Sequence, residues 1–200
     1  MIEIVLASNN KNKLSEISDI LNKHKTRVLS LEDIGYLKEI KETGETLSEN
    51  ALIKARAIRV KAKGKIVIAD DTGLEVDYLA KAPGVYSARF AGPKCSFKDN
   101  NSKLLKLLKG VKSKDRTATF RTVVAVIYAN GVEEVYEGKV YGKISIKEQG
   151  LFGFGYDPVF CPGNSKKTYA QMTSIQKNSI SHRKKAVTNA LKGIQKRLML

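Results

Sequence analysis

Apolar residues along this chain alternate between short continuous runs and stripes spaced as on a helix, a pattern typical of α/β proteins. Residues 2–7 form a buried-strand pattern, and residues 66–69 form another that ends at two aspartates. A further short strand is predicted at 27–31. The helix-spaced apolar positions are Leu14, Ile17, Ile20 and Leu21 in a first helix and Leu47, Ala51, Ala55 and Ile58 in a second.

The later part of the chain contains two long strand-like segments, residues 117–129 and 132–146. They are joined by Asn130-Gly131, a dipeptide that favours a tight hairpin in which both turn residues accept positive φ. A helix is predicted around 104–108, and a last helix after Ser181 carries an apolar stripe. We therefore expect an α/β or α+β fold in which the hairpin extends the sheet into a second lobe, with the ligand site in a cleft between lobes.

Length and composition narrow the class of protein. The 200 residues suit a single domain of one or two lobes, with 42% apolar and 28% charged residues as in ordinary globular proteins. The apolar runs are far shorter than the ~20 residues of a membrane helix. No export leader is visible, and Cys95 and Cys161 have no Cys or His at metal-ligand spacing. We expect a cytoplasmic protein with reduced thiols that does not enter a membrane.

The formal net charge of the chain is +16, from 36 basic and 20 acidic residues. A charge of this size indicates anionic partners such as nucleotides, nucleic acid or acidic surfaces. Lysine supplies most of the basic residues, however, and the lysines are scattered over nearly every segment. A lysine-rich, solvated surface is therefore the simpler interpretation of the charge.

Two predicted helices begin with cations, although the partial positive charge of a helix N-terminus normally attracts Asp or Glu. The first begins at Lys11-Asn12-Lys13 after the turn Ser8-Asn9-Asn10, and the last begins at Ser181-His182-Arg183-Lys184-Lys185. Backbone N–H groups, the helix dipole and added cations together favour a bound phosphate. The alternative is that the abundance of lysine places cations there by chance.

Asp70 and Asp71 follow the apolar run at 66–69 and precede Thr72-Gly73, which predicts an acidic turn at a strand end. Mg²⁺ commonly takes one or two protein carboxylates and completes its shell with waters and substrate phosphates. The candidates for a second carboxylate are Glu42, Glu45 and Glu49. Taken alone, such an acidic pair is more often an ordinary turn or a helix cap than a metal site.

A glycine-rich loop carries three aromatic residues, Phe152, Phe154 and Tyr156, and ends at Asp157. Glycines allow close approach of the backbone, and an aromatic face can stack on a base. The alternative is a loop whose rings only pack against the protein. His182 is likewise either a ligand contact or simply a histidine at a helix start.

Together these motifs resemble the Ham1/RdgB family, the inosine triphosphate pyrophosphatases. The opening Ser8-Asn9-Asn10-Lys11-Asn12-Lys13 is similar to the nucleotide motif of that family, with Asn9 where many members have glycine. The other matching segments are Glu42-Thr43-Gly44, Thr46, Glu49-Asn50-Ala51, Ala69 to Leu74, Ala82 to Arg89, Gly153 to Pro158 and Lys177 to Arg183. Because the matches are ordered and span nearly the whole chain, the resemblance is specific.

The resemblance implies a fold and an activity. The fold is a two-lobed α/β fold around an elongated, mixed central β-sheet flanked by helices, usually a homodimer, with the active site in the cleft between the lobes. The activity is Mg²⁺-dependent hydrolysis of non-standard purine nucleoside triphosphates, namely ITP, dITP and XTP. The products are the nucleoside monophosphate and pyrophosphate, so the reaction removes deaminated purines from the nucleotide pool.

The resemblance also implies roles for individual residues. Asp71 is expected to be the general base and an Mg²⁺ ligand, with Asp70 in support. Glu42 is the expected second ligand, and the residues that could replace it are Glu39, Glu45 and Glu49. The expected triphosphate contacts are Ser8, Asn9, Asn10, Lys11, Asn12 and Lys13. The other expected nucleotide contacts are Thr72, Phe154, Gly155, Tyr156, Asp157, Lys177, His182 and Arg183.

Two other functions stay open. The related Maf-type nucleotide pyrophosphatases have a similar fold but act on pyrimidine and modified nucleotides, and residues 154–157 and 181–183 argue against them. A basic nucleic-acid-binding protein would explain the net charge without catalysis, and its binding would depend steeply on salt. Its cations would cluster on one face beside exposed aromatic rings. The clearest aromatic cluster lies instead among glycines beside Asp157, so no specific nucleic acid is expected as a partner.

Overall fold

The computed structural model describes residues 1–24 and 26–198, which divide into two compact units. The first unit comprises residues 1–71, 122–138 and those from 183 onward, and the second comprises 72–121 and 139–182. The strands are β1 (Ile2–Leu6), β2 (Thr26–Leu29), β3 (Ile66–Val76), β4 (Pro83–Gly84), β5 (Thr117–Ile127), β6 (Glu133–Ile144) and β7 (Phe160–Pro162). The helices are α1 (Lys11–Leu21), α2 (Leu47–Ile58), α3 (Phe97–Leu107), α4 (Ser174–Ile180) and α5 (His182–Arg197).

The strands form one mixed sheet. Its order is β2-β1-β3-β5-β6-β7, and β4 pairs with β3. The strands β2, β1 and β3 run parallel, with Ile4 opposite both Val28 and Ile66. The strands β6 and β7 are antiparallel, with Gly142 opposite Pro162. The predicted α/β fold around a mixed central sheet flanked by helices is therefore confirmed.

The strand β3 is longer than the sequence predicted. The prediction ends the strand before an acidic turn, whereas the strand continues through Asp70 and Asp71 to Val76. The reason is that Leu74 and Val76 are fully buried in the core of the second unit, so the chain stays extended until both side chains are packed. The predicted turn is wrong. Because successive side chains of a strand point to opposite faces, Asp70 and Asp71 have different neighbours.

Each unit has its own apolar core. In the first, side chains from β1, α1 and β3 pack with those of β5 and α5, and the fully buried members include Ile4, Ile17, Val126 and Ala186. The apolar stripes predicted for α1 and α5 face this core. In the second, the buried members include Leu74, Leu104, Phe120, Phe160 and Tyr169.

The hairpin between β5 and β6 forms, but its turn differs from the prediction. Gly131 has a φ of +88°, and its N–H donates to the Tyr128 carbonyl oxygen at 2.9 Å. Asn130 does not take positive φ. Its Oδ1 instead accepts the Val132 N–H at 3.1 Å, as asparagine often does in turns. The hairpin is also divided between the units, since residues 122–138 belong to the first and the outer parts of both strands belong to the second.

Three of the described α-helices begin with capping boxes, formed by Thr46 and Glu49, by Ser96 and Asp99, and by Thr173 and Gln176. The last of these starts α4, a helix that the apolar pattern did not predict. Its seven residues are too few to show a stripe of helical period. In the described part of the chain, no helix has both the length and the apolar character needed to cross a bilayer.

Candidate active site

The first helix follows a polar turn and has cations in its first turn, as predicted. Asn10 is the N-cap of α1, and its Oδ1 accepts the N–H groups of Asn12 and Lys13 at 3.0 and 3.2 Å. Ser8 Oγ accepts the Asn10 N–H at 3.2 Å. The first turn of α1 has no acidic residue, which leaves the positive end of the helix dipole free of a carboxylate of its own. Two of the N–H groups expected to bind phosphate are, however, already used by Asn10.

Asp70 lies buried in β3 among cations. Its Oδ2 is 3.2 Å from Lys13 Nζ and 3.3 Å from Arg183 Nε. Arg183 also pairs with Glu16. Burial alone would raise the pKa of Asp70, but these cations, with Lys54, outweigh burial and hold its pKa well below the ordinary value. Asp70 is therefore an ionised counter-ion for the cations around it.

Asp71 contacts a different cation, the ammonium group of Lys54. Lys54 Nζ lies 3.4 Å from Asp71 Oδ1, 2.6 Å from Glu42 Oε1 and 2.7 Å from the carbonyl oxygen of Asp70. Burial works to lower the pKa of Lys54, but the surrounding carboxylates raise it above the ordinary value and keep the side chain protonated. Burial raises the pKa of Asp71, an effect that Lys54 only partly offsets.

One buried oxygen beside Lys54 is available to a metal ion. Asp71 Oδ2 is buried and has no hydrogen-bond partner among the described residues. Burying such an oxygen without a partner is costly, and a bound cation would satisfy it. Within residues 1–24 and 26–198, no group of three or more His, Cys, Asp or Glu side chains is arranged to hold a metal. The ion would therefore complete its shell with waters and phosphate oxygens, as Mg²⁺ commonly does.

Among the acidic candidates, Glu42 shares a contact with Asp71, because both contact Lys54. Glu49 Oε2 accepts the N–H groups of Glu45 and Thr46 at 2.7 and 3.2 Å, so this carboxylate caps α2. The side chains of Glu39 and Glu45 are exposed. Of these four glutamates, Glu42 is the one that contacts the lysine on which Asp71 also converges.

Lys54 was not among the predicted site residues. It lies on the buried face of α2, three residues after Ala51 and next to Ala55. Lysine is almost never fully buried unless it is paired. A lysine within an apolar helical stripe is therefore the signal that could have found this residue.

In the second unit, a buried ion pair holds the glycine-aromatic loop. Lys177 Nζ lies 2.6 Å from Asp157 Oδ2, and the same oxygen accepts the Phe154 N–H at 2.8 Å. Both charged side chains are buried. Lys177 Nζ also lies 4.8 Å from the centre of the Phe154 ring, within the range of a cation–π interaction. The pair thus fixes the position of Phe154, whose ring is half-buried.

Tyr156 and His182 are buried in the second unit, where both make packing contacts. Tyr156 OH donates to the Ser87 carbonyl oxygen at 2.9 Å, and burial raises the pKa of this phenol. The His182 ring stacks on Phe120 with ring centres 4.3 Å apart and an angle of 9° between the planes. Thr72 is half-buried in β3. Tyr156 and His182 therefore support the second unit, in addition to any role toward a ligand.

Substitution of Gly153 by alanine is expected to displace the loop that carries Phe154. A Cβ at Gly153 would lie 2.1 Å from Asp157 Oδ2, and the residue has a φ of +77°. The clash disturbs the buried pair of Asp157 and Lys177 and adds to a backbone cost of about 1–2 kcal/mol. We expect the free energy of unfolding, measured in urea, to fall by about 3 kcal/mol or more.

Gly163 provides the matched control for this substitution. It also has positive φ, at +56°, but no atom lies within 4 Å of the position of its missing Cβ. Gly163→Ala should therefore lose only the backbone cost of about 1–2 kcal/mol. Equal losses in the two variants would show that Asp157 accommodates the methyl group.

The protein is an α/β protein with a mixed sheet. Its candidate site is a buried acid–lysine centre, formed by two carboxylates of β3 and a lysine that lies between acidic groups. The sequence model of the Ham1 family matches residues 4–193, and the chain belongs to this family. The predicted family is thus confirmed.

Individual relatives extend over nearly the whole chain. The protein of Caldanaerobacter subterraneus subsp. tengcongensis named dITP/XTP pyrophosphatase is 48% identical over 199 residues, which cover 99% of this chain and 98% of the relative. The Bacillus subtilis protein of the same name is 44% identical over 198 residues, with the same coverage. The solved structure of the Staphylococcus aureus Ham1 protein matches with a TM-score of 0.85 and 38% identity, covering 98% of this chain and 99% of that one.

Proposed function

We propose that this protein is a metal-dependent pyrophosphatase that hydrolyses ITP, dITP and XTP to the nucleoside monophosphate and pyrophosphate. Membership of the Ham1 family supports the reaction, and the shared name of the relatives, dITP/XTP pyrophosphatase, supports the substrate class. The observation that carries the proposal is the convergence of Asp71 and Glu42 on Lys54 in a buried centre. Removal of deaminated purines from the nucleotide pool is the proposed purpose.

Asp71 and Glu42 are the proposed protein ligands of Mg²⁺. When bound, the ion supplies positive charge that neutralises triphosphate oxygens. The buried Oδ2 of Asp71, which lacks a hydrogen-bond partner in the described part of the chain, supports its role as a ligand. Lys54 holds the two carboxylates near each other and adds a positive charge of its own.

Asp71 is also the proposed general base. It takes a proton from a water molecule whose oxygen forms a bond to the α-phosphorus. The bond between that phosphorus and the bridging oxygen breaks, and pyrophosphate leaves with the electron pair. Because burial raises the pKa of Asp71, its carboxylate is a stronger base than that of an exposed aspartate. The ammonium groups of Lys13 and Lys54 stabilise the charge that develops on the phosphate oxygens.

The family resemblance extends the proposal to nucleotide binding. The proposed triphosphate contacts are Ser8, Asn9, Asn10, Lys11, Asn12 and Lys13. The proposed contacts to the rest of the nucleotide are Thr72, Phe154, Gly155, Tyr156, Asp157, Lys177, His182 and Arg183. The fixed position of the Phe154 ring supports its assignment as the surface on which the base stacks. The proposal also includes a homodimer, which the resemblance implies, and a cytoplasmic location, which the two free thiols support.

Selectivity for deaminated purines is proposed to come from donors that face the 6-oxo group of hypoxanthine or xanthine. The candidate donors are His182, Arg183 and backbone N–H groups. Adenine has an amino group at this position, so a donor that faces it would lose its acceptor on the base. Each buried donor without a partner costs roughly 1–3 kcal/mol, and several together would reject ATP strongly.

Pyrophosphate release from ITP, dITP, XTP, ATP, GTP and UTP, with and without Mg²⁺, tests the proposal. We expect the first three to be hydrolysed at least about a hundredfold faster than ATP, and hydrolysis to stop when the metal is chelated. Equal rates for all six would refute the selectivity, and a preference for UTP would favour a Maf-type activity. Undiminished hydrolysis without metal would refute the role of Mg²⁺. No hydrolysis, together with salt-dependent binding of RNA or DNA, would favour a nucleic-acid-binding protein.

A further inference from the structure

The loop that carries Glu42 is tied to α2 by an asparagine of that helix. Asn50 is fully buried, and its Oδ1 accepts the Gly44 N–H at 2.8 Å. A Cβ at Gly44 would lie 2.6 Å from Glu49 Cβ and 2.9 Å from Asn50 Oδ1. The loop backbone therefore lies directly against the helix, and a glycine is needed for this approach.

A similar arrangement occurs at the start of α3, in the second unit, where the asparagine also donates to the Ala88 carbonyl oxygen. There a capping box is followed directly by Asn100, a buried residue whose Oδ1 accepts the Ala91 N–H at 2.7 Å. Each asparagine lies four residues after the N-cap of its helix and fixes the backbone of the preceding loop. The difference lies in what each loop carries, since only the loop tied by Asn50 contains a residue of the acid–lysine centre.

Asn50 and Lys54 lie one helical turn apart on the same face of α2. Asn50 holds the loop backbone at Gly44, and Lys54 Nζ holds the carboxylate of Glu42 at 2.6 Å, two residues earlier in the loop. The helix thus fixes both the path of the loop and the side chain that the loop presents. Without the hydrogen bond from the Gly44 N–H to Asn50, the loop backbone would be free to shift. The contact with Lys54 alone would then have to position the Glu42 carboxylate.

The amide nitrogen of Asn50 gives independent evidence that this asparagine does more than stabilise the fold. Asn50 Nδ2 is buried and has no hydrogen-bond partner among the described residues. A buried amide group in this state destabilises the fold, and a leucine of similar size would avoid the cost. Stability alone therefore does not explain the asparagine, whereas the need to hold the loop at Gly44 does.

We propose that Asn50 is a positioning residue that fixes Glu42 beside Asp71 and thereby sets the affinity of this centre for a divalent cation. The inference rests on the proposed function, in which Glu42 is a metal ligand. Replacing a residue that orients a metal ligand typically lowers metal affinity about 10- to 100-fold. Asn50 acts through the loop and does not itself contact the ion.

The test compares Asn50→Leu with the matched control Asn100→Leu. Binding of Mn²⁺ to the nucleotide-free protein is measured from the electron paramagnetic resonance signal of the free ion. Asn50→Leu should weaken Mn²⁺ binding about tenfold or more, and Asn100→Leu should leave it unchanged. Hydrolysis of dITP by Asn50→Leu should fall at low Mg²⁺ and recover at high Mg²⁺. A merely structural role would lower stability in both variants without moving the Mg²⁺ midpoint.

Glu42→Gln separates this inference from the proposed function. If Glu42→Gln weakens Mn²⁺ binding and Asn50→Leu does not, the positioning role is overturned while Glu42 stands as a ligand. If Glu42→Gln has no effect, the proposed ligand set fails. Gly44→Ala disturbs the same contact from the loop side and keeps the inference testable if Asn50→Leu folds poorly. Unchanged Mn²⁺ binding in folded Gly44→Ala would also overturn it.

Discussion

Replacement of Asp71 by asparagine is expected to slow pyrophosphate release from dITP at least about a thousandfold, because it removes the proposed general base, which is also a proposed metal ligand. The fold should survive. Burial raises the pKa of Asp71 in the folded protein, so the ionised carboxylate destabilises the fold at neutral pH and a neutral amide does not. The metal-free variant should therefore be at least as stable as the wild type at pH 7.

Steady-state kinetics and urea unfolding measure the two effects of Asp71→Asn separately. Turnover above about a tenth of the wild-type rate, less than the usual effect of losing a general base, would place the base at another residue. A loss of stability of several kcal/mol would mean that Asp71 acts as a structural counter-ion, as Asp70 does.

Replacement of Asp70 by asparagine, unlike that of Asp71, should cause a large loss in the free energy of unfolding. Asp70 is the buried carboxylate that Lys13 and Arg183 share. Its removal takes a shared counter-ion from the buried Arg183 and the half-buried Lys13, and breaking a buried ion pair typically costs about 3–5 kcal/mol. Urea unfolding at pH 7 measures the loss, and Asp71→Asn is the control because it makes the same substitution at the next residue. Similar stabilities of the two variants would contradict the different roles assigned to the two aspartates.

The stabilisation by Asp70 should also depend on pH in a defined direction. Its pKa in the folded protein is well below the ordinary value, because the surrounding cations outweigh the effect of burial. Such a group stabilises the fold fully above the pKa of the unfolded chain, near 4, and the effect is lost as the pH falls toward the folded pKa. The difference in unfolding free energy between wild type and Asp70→Asn should be constant above about pH 5 and narrow below about pH 4. A difference that widens in acid would contradict this sign.

The sequence predicts the starts of α1 and α5 because their signals are local. A polar turn followed by helical spacing identifies the start of α1, and the same reasoning identifies the start of α5. The carboxylate that these cations contact, however, lies far away in the sequence. Lys13 and Arg183 were interpreted as phosphate ligands, yet in the structure both contact Asp70, from positions 57 and 113 residues away along the chain. No pattern within a single helix indicates such a pairing.

The roles of the two aspartates likewise depend on burial, which a short motif does not reveal. A pair of acids before Thr72-Gly73 favours a turn, but the burial of Leu74 and Val76 extends β3 through it. The alternation of side chains in that strand then separates Asp70 from Asp71. The sequence does not identify Lys54 for a related reason, because the apolar residues of α2 around it give no sign of the carboxylates that it contacts.

The ion pair of the second unit shows a further limit of reasoning from motifs. Lys177 and Asp157 were both predicted to contact the nucleotide, from segments 20 residues apart in the sequence. In the structure they bind each other and hold the backbone of Phe154. A motif identifies residues that belong to a site, whereas the structure distinguishes those placed to support a neighbour.

Attack of water on the α-phosphorus is tested most directly by hydrolysis of dITP in ¹⁸O-labelled water, with mass spectrometry of both products. The phosphorus that is attacked retains the oxygen of the water molecule. If Asp71 directs water to the α-phosphorus, the label appears in deoxyinosine monophosphate and pyrophosphate remains unlabelled. Label in pyrophosphate would mean that water attacks the β-phosphorus, and it would contradict the reaction proposed for this centre.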